Sequence, residues 1–202
     1  MRYDPAVHQR RSVRLPGYDY AQAGAYCVTI CAYQRRSVFG AVVGEEVVLN
    51  RWGEVVAKEW ERSAAVRRGV EMDAFVVMPN HVHGIVVITG GTGDGDVGAH
   101  CVRPVCPSGA CAEGARSAPL RRSPASLASF VAGVKSAVTK RINGIRGGDR
   151  TAIWQRNYYE HVIRDEGDLE EIRRYIAENP THWAEDRENP AWSAGARMLR
   201  RR

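Results

Sequence analysis

Two apolar runs, Met72 to Met78 and Val82 to Ile88, stand on either side of Pro79-Asn80. Both are short and rich in β-branched residues, so they read as consecutive strands joined by a tight turn. The second strand carries an unusual pair at its start, His81 and His83. Strand alternation sends residues i and i+2 to the same face, so the two imidazoles project together while Val82 points the other way. Spaced roughly 6.5 to 7 Å along the strand, they can converge on one divalent metal if another element supplies the remaining ligands. The plainer reading is two half-buried histidines satisfied by their neighbours, and the spacing alone leaves both readings open.

The rest of the chain supplies the context. Ala25 to Ala32 is rich in strand formers, and Ala41 to Leu49 divides at Gly44-Glu45 into two short strands that can pair as a hairpin. Asn50 is a candidate N-cap for a helix from Trp52 to Arg67, with Gly69 as its stop. Thr89 to Ser123 turns to Gly, Ala, Ser, Pro and Cys without apolar periodicity, which reads as a flexible insertion. After Ser123-Pro124, a cap followed by a first-turn proline, Leu127, Phe130, Val131, Val134, Val138 and Ile142 trace one helical stripe, with Lys135 and Lys140 off it. Tyr158 to Ile163 can form a last strand. Asp165 to Asp168 then opens a helix that reaches Asn179 and is stopped by Pro180. The inward stripe of that helix runs through Leu169, Ile172, Tyr175 with Ile176, and Asn179. Tyr175 and Asn179 are thus i and i+4, one turn apart on one face, where a phenol and an amide oxygen can approach the same point. Two imidazoles and an amide oxygen would leave coordination positions open, as a catalytic metal site requires. A core tyrosine and a helix-ending asparagine remain the alternative.

At 202 residues and 44% hydrophobic, the chain can bury one good core. It is expected to form a single domain over residues 1–192, interrupted by the insertion at 89–123 and followed by a basic tail at 193–202. Its formal charge of +6, from 29 basic and 23 acidic residues, suits a polyanionic partner. Arg10, Arg11, Arg14, Lys135, Lys140 and Arg141 are candidate phosphate contacts, and Trp154, Tyr158 or Tyr159 candidate stacking platforms for bases. No apolar run approaches the roughly 18 residues of a membrane helix, and the first residues lack a signal-peptide core, so no membrane partner and a cytoplasmic location are expected. Cys27 and Cys31, four apart on one strand, would stand roughly 13 Å from each other and are read as reduced thiols. Cys101, Cys106 and Cys111 recur beside His100 without the CxxC pairs of structural zinc sites. GxxxxGK[ST] occurs nowhere, so nothing supports nucleotide-driven chemistry.

PNHVHGIVV, WQRNYYEHVIRDE and YIAENP, taken together with RRSVRLPGYDY, AYCVTICAYQRRSVFG and SFVAGVKSAVTKRIN, resemble the REP-associated tyrosine transposases, a branch of the bacterial HUH single-tyrosine transposases. The resemblance runs to about Trp183 and leaves out the insertion and the tail. It implies an α+β fold, a ferredoxin-like antiparallel sheet with helices packed on one face, which agrees with the order of strands and helices read above. It makes His81-Val82-His83 the histidine element, Tyr175 the nucleophile and Asn179 the third metal ligand. It further implies Mg2+ or Mn2+ as cofactor, hairpin-bearing single-stranded DNA with palindromic repeats as partner, and cleavage and rejoining through a 5′-phosphotyrosine, carried out by a monomer or a homodimer at the bacterial nucleoid. Two other readings belong to different classes. One is a nucleic-acid-binding regulator that keeps the fold without transposing. The other is a histidine-based nucleotide hydrolase, which would want a further histidine where Ile85 stands.

Overall fold

The structure, a computed structural model, describes residues 18–20, 22–89, 126–148, 151–186 and 188–190. The insertion beyond Thr89, its cysteines, Arg10, Arg11, Arg14 and the basic tail lie outside the described residues. In chain order the elements are β1 (Gly24–Cys31), β2 (Gly40–Val43), β3 (Glu46–Leu49), α1 (Arg51–Ala65), β4 (Val70–Val77), β5 (His81–Ile88), α2 (Leu127–Ile145), β6 (Tyr159–Ile163) and α3 (Glu166–Glu178). Strands β4, β5, β1 and β6 lie side by side in that order, each antiparallel to the next, while β2 and β3 form their own hairpin. With the hairpin set aside, the chain runs βαββαβ in the ferredoxin-like order.

Each helix begins where the sequence offers an acceptor for its free N–H groups. Asn50 caps α1, its Oδ1 accepting from the N–H of Trp52 at 2.9 Å and of Gly53 at 3.1 Å. Asp165 caps α3 by accepting from Asp168 N–H at 2.9 Å. Helix α2 is capped by Ser126, whose hydroxyl accepts from Ser129 N–H at 3.2 Å, three residues later than the Ser123-Pro124 start expected from the sequence. Leu127 is the first residue of the stripe to bury, and the helix starts with it.

Helices α1 and α2 cover one face of the sheet. Tyr26, Val28 and Ile30 of β1 and Val82, Val86 and Ile88 of β5 are buried there. Trp60 of α1, fully buried, meets Phe130 of α2 edge-on at 5.3 Å and stacks beside Phe75 of β4 at 6.0 Å. Gly84 of β5 exists to admit that indole, because a Cβ at this position would overlap Cζ2 of Trp60. Gly84→Ala is therefore expected to lower stability by about 1–3 kcal/mol, the usual cost of forcing one extra carbon into a packed core. Denaturant midpoints of the two proteins check this, and equal midpoints would mean that Trp60 has room to move.

His81 and His83 lie on the opposite face, since alternation separates them from Val82 and Gly84. Strand β5 is buried along nearly its whole length on both sides, so a second layer has to cover the histidine face. Helix α3 does so, packing on β4 and β5. The expected helices on one face hold for α1 and α2, and α3 adds a layer on the other. Cys27 and Cys31, also on this face, are free thiols, as expected from their spacing. No helix among the described residues is long and apolar enough to cross a membrane.

Candidate active site

The histidine pair opens β5, a central strand, so it sits at the end of the sheet and not on its edge. The two rings stand edge to face with centroids 4.4 Å apart. Each is held at Nδ1: Asn80 Oδ1 lies 2.7 Å from that atom of His81, and Thr29 Oγ1 lies 2.8 Å from that of His83. Thr29 faces His83 because the two are register partners across β1 and β5. Burial depresses both imidazoles, His81 to about 2 with the neighbouring His83 and Arg35 adding to the effect, and His83 to about 4. Both are therefore neutral near pH 7, the state in which imidazole binds metal.

Helix α3 is fastened over them by a defect in β4. The β4–β5 register shifts between Met72 and Phe75, a β-bulge that frees Asp73 to meet the helix. Arg173 grips it with both arms of the fork, Nε donating to Oδ1 at 2.9 Å and Nη2 to Oδ2 at 2.6 Å. The guanidinium holds the Asp73 carboxyl below its ordinary range. Two residues on, Tyr175 brings its hydroxyl to 3.3 Å from His83 Nε2, with ring centroids 5.2 Å apart. Ile176 and Asn179 are buried beside it. Tyr175 itself is 50% exposed, where the helical stripe predicts a buried residue. It stands one position before Ile176, about 100° around the helix, and so at the border of the buried stripe. Burial raises the phenol above its ordinary pKa, the charge on Asp186 adds to this, and a hydrogen bond from Asn179 opposes it.

Two polar atoms in this cluster, His81 Nε2 and Asn179 Oδ1, are buried without a hydrogen-bond partner among the described residues. Buried polar groups left unpaired cost about 1–3 kcal/mol each, so an arrangement that keeps two of them in one cluster needs a reason. A cation would satisfy both, with His83 Nε2 as third donor. Two imidazoles and an amide oxygen fit Mn2+ and accept Mg2+. Among the described residues no group of three or more His, Cys, Asp or Glu could hold a metal, so a three-ligand set drawn from the described residues here takes its third donor from another residue type, such as Asn179.

The four residues singled out in the sequence thus meet in one place, whereas the described candidate DNA contacts, all on α2, differ in what they face. Lys135 turns inward, Nζ donating to the carbonyls of Gln155 at 2.8 Å and Asn157 at 2.9 Å, and burial lowers its pKa to about 8. Arg141 is ion-paired with the buried Glu59, and Lys140 is exposed. Trp154 and Tyr158 pack against the core, while Tyr159 is exposed. Arg11 and Arg14 lie outside the described residues. Sequence reasoning missed Thr29, Asn80 and the Asp73–Arg173 clasp. Only the adjacency of Asn80 to His81 could have drawn attention to any of them.

No family model matches the chain. A Haemophilus influenzae protein, described as uncharacterized, is 34% identical over 185 residues, covering 92% of this chain and 96% of its own. Among solved structures, a REP-associated tyrosine transposase bound to a REP hairpin matches with a TM-score of 0.50 at 18% identity, over 83% of this chain and 72% of the other. The chain accordingly belongs to one family with the Haemophilus influenzae protein, and its fold is that of the REP-associated tyrosine transposases.

Proposed function

We propose that the protein is a metal-dependent tyrosine transposase, a nuclease that cleaves and rejoins single-stranded, hairpin-bearing DNA through a phosphotyrosine link. The observation that carries this reading is the convergence of a half-exposed phenol, 3.3 Å from His83 Nε2, with two buried polar atoms that have no partner among the described residues, His81 Nε2 and Asn179 Oδ1. A core tyrosine would bury its ring, and satisfied histidines would not leave Nε2 bare. The choice of DNA follows from the fold's likeness to a transposase bound to a REP hairpin and from the net charge of +6.

In the reaction, the Tyr175 oxygen attacks the scissile phosphorus, the new bond joins Oη to a 5′ phosphate, and the bond to the 3′ oxygen breaks. The phenolic proton passes to solvent, and the departing 3′ oxygen takes up a proton from solvent, so the step balances without ATP. The link conserves the phosphodiester's free energy, and reversal by another 3′ hydroxyl rejoins the strand. Burial keeps Tyr175 protonated at neutral pH, so attack and proton loss have to be concerted or assisted. Asn179 orients the hydroxyl, and the Asp73–Arg173 clasp fixes the helix that presents it. His81, His83 and Asn179 would hold Mg2+ or Mn2+, which when bound supplies positive charge to the phosphate oxygens.

Incubation of the protein with end-labelled single-stranded hairpin DNA and Mn2+ is expected to give a denaturation-resistant protein–DNA adduct together with a free 3′ end. Binding without an adduct would replace this reading with that of a regulator. Turnover of free nucleotides in place of DNA would favour the hydrolase.

A further inference from the structure

Asn80 occupies the turn between β4 and β5 and is 1% exposed. Its side chain ties together three segments far apart in sequence. The amide nitrogen donates to the carbonyl of Arg35 at 3.1 Å and to that of Glu188 at 2.7 Å, while the amide oxygen lies 2.7 Å from His81 Nδ1. Carbonyls only accept, so the two on one side decide which way the amide points, and its oxygen must face the imidazole. An amide oxygen in turn needs a donor. His81 therefore carries its proton on Nδ1, which leaves a lone pair on Nε2, the atom that is buried without a partner among the described residues.

We infer that Asn80 is a positioning residue: it locks His81 in the Nδ1–H tautomer and aims the bare Nε2 into the site, taking its own orientation from the carbonyls of Arg35 and Glu188. The inference rests on the reading of His81 as a ligand. The contrast with the other histidine supports it. His83 meets a hydroxyl, Thr29 Oγ1, which can donate or accept and so imposes no tautomer. A second observation comes from the turn that supplies one of the two carbonyls. Gln34 and Arg35 both hold left-handed backbone, φ 57° and 54°, a conformation that non-glycine residues keep only where the surroundings enforce it. The Asn80 amide is one such constraint, so the strained turn and the histidine tautomer meet at the same side chain.

An unconstrained neutral imidazole in water favours the Nε2–H form, which cannot bind metal through that atom. Removing the Asn80 oxygen therefore frees His81 to place a proton where the cation would sit. Orienting groups of this kind are worth about 10–100-fold in metal affinity.

The test is long-range 1H–15N NMR on the metal-free protein labelled at histidine, paired with Mn2+ titration. Wild type is expected to show His81 with a protonated Nδ1 and a bare Nε2. Asn80→Ala is expected to shift His81 toward Nε2–H and to weaken Mn2+ binding about 10–100-fold. A wild-type spectrum with His81 in the Nε2–H form overturns the inference, and that result needs no variant to fold. So does a folded Asn80→Ala protein that keeps both the tautomer and the Mn2+ affinity. Failure to form a DNA adduct with the Nδ1–H tautomer intact would count against the transposase reading and leave the role of Asn80 standing.

Discussion

Tyr175→Phe is expected to reduce the protein–DNA adduct by at least about 10³-fold while leaving the fold intact, because in the proposed reaction Tyr175 is the nucleophile and has no substitute, whereas its hydroxyl contributes little to stability. The oxygen makes a long 3.3 Å contact with His83 Nε2 and receives a hydrogen bond from Asn179, on a ring that is half exposed. Since water can replace those partners when the chain unfolds, the net loss is about 0.5–1.5 kcal/mol. Binding of hairpin DNA should persist, since phosphate contacts carry most of such affinity. The adduct is read on a denaturing gel and the fold by thermal unfolding. An adduct of undiminished yield in Tyr175→Phe would mean that another tyrosine or another chemistry is at work. Tyr159, exposed on β6, would be the next oxygen to examine.

Helical geometry paired the phenol with the carboxamide, and the family resemblance is what singled out Tyr175 as the nucleophile. Tyr175 and Asn179 are one turn apart in any helix, and His81 and His83 share a face of any strand, so each pair was legible from spacing. Bringing the pairs together was not. It depends on α3 crossing the far side of the sheet, and that crossing is set by Asp73, a residue whose importance comes from a β-bulge that no strand pattern announces. Thr29 was hidden for a related reason, since it reaches His83 through the β1–β5 register, which pairs residues 54 apart. The hairpin at Gly44 and the cap at Asn50 were readable because turn and cap chemistry is local, and Gly44 does hold the left-handed φ of 65°. Lys135 stood out because charge patterning places a lysine off the apolar stripe, and that pattern says nothing of the backbone carbonyls beside it.

The metal-free protein is expected to lose up to about 4 kcal/mol of stability between pH 7 and pH 5, and the histidine pair is the reason. In the unfolded chain both imidazoles take up protons below their ordinary value of 6.5. In the folded chain burial keeps His83 neutral down to about 4 and His81 down to about 2. Through the window from 6.5 to about 4 the unfolded state therefore binds two protons that the folded state refuses, so stability falls as pH falls, by about 1.4 kcal/mol per pH unit for each ring. The carboxyl of Asp73, held low by Arg173, acts in the same direction but only below the ordinary carboxylate range, so it does not blur the window. Urea unfolding at pH 7 and pH 5 measures the slope, and a His81→Asn/His83→Asn double variant should lose most of it. Equal stability of the wild-type protein at the two pH values would mean that the rings accept protons in place, where protons would compete with a metal for the same nitrogen lone pairs. Saturating Mn2+ should in turn stabilise the protein at pH 7, by about 2.7 kcal/mol at a hundredfold excess over Kd, because only the folded chain gathers His81, His83 and Asn179 into one site. The burial that makes the apoprotein acid-labile is thus the same burial that keeps both imidazoles ready to bind metal at neutral pH.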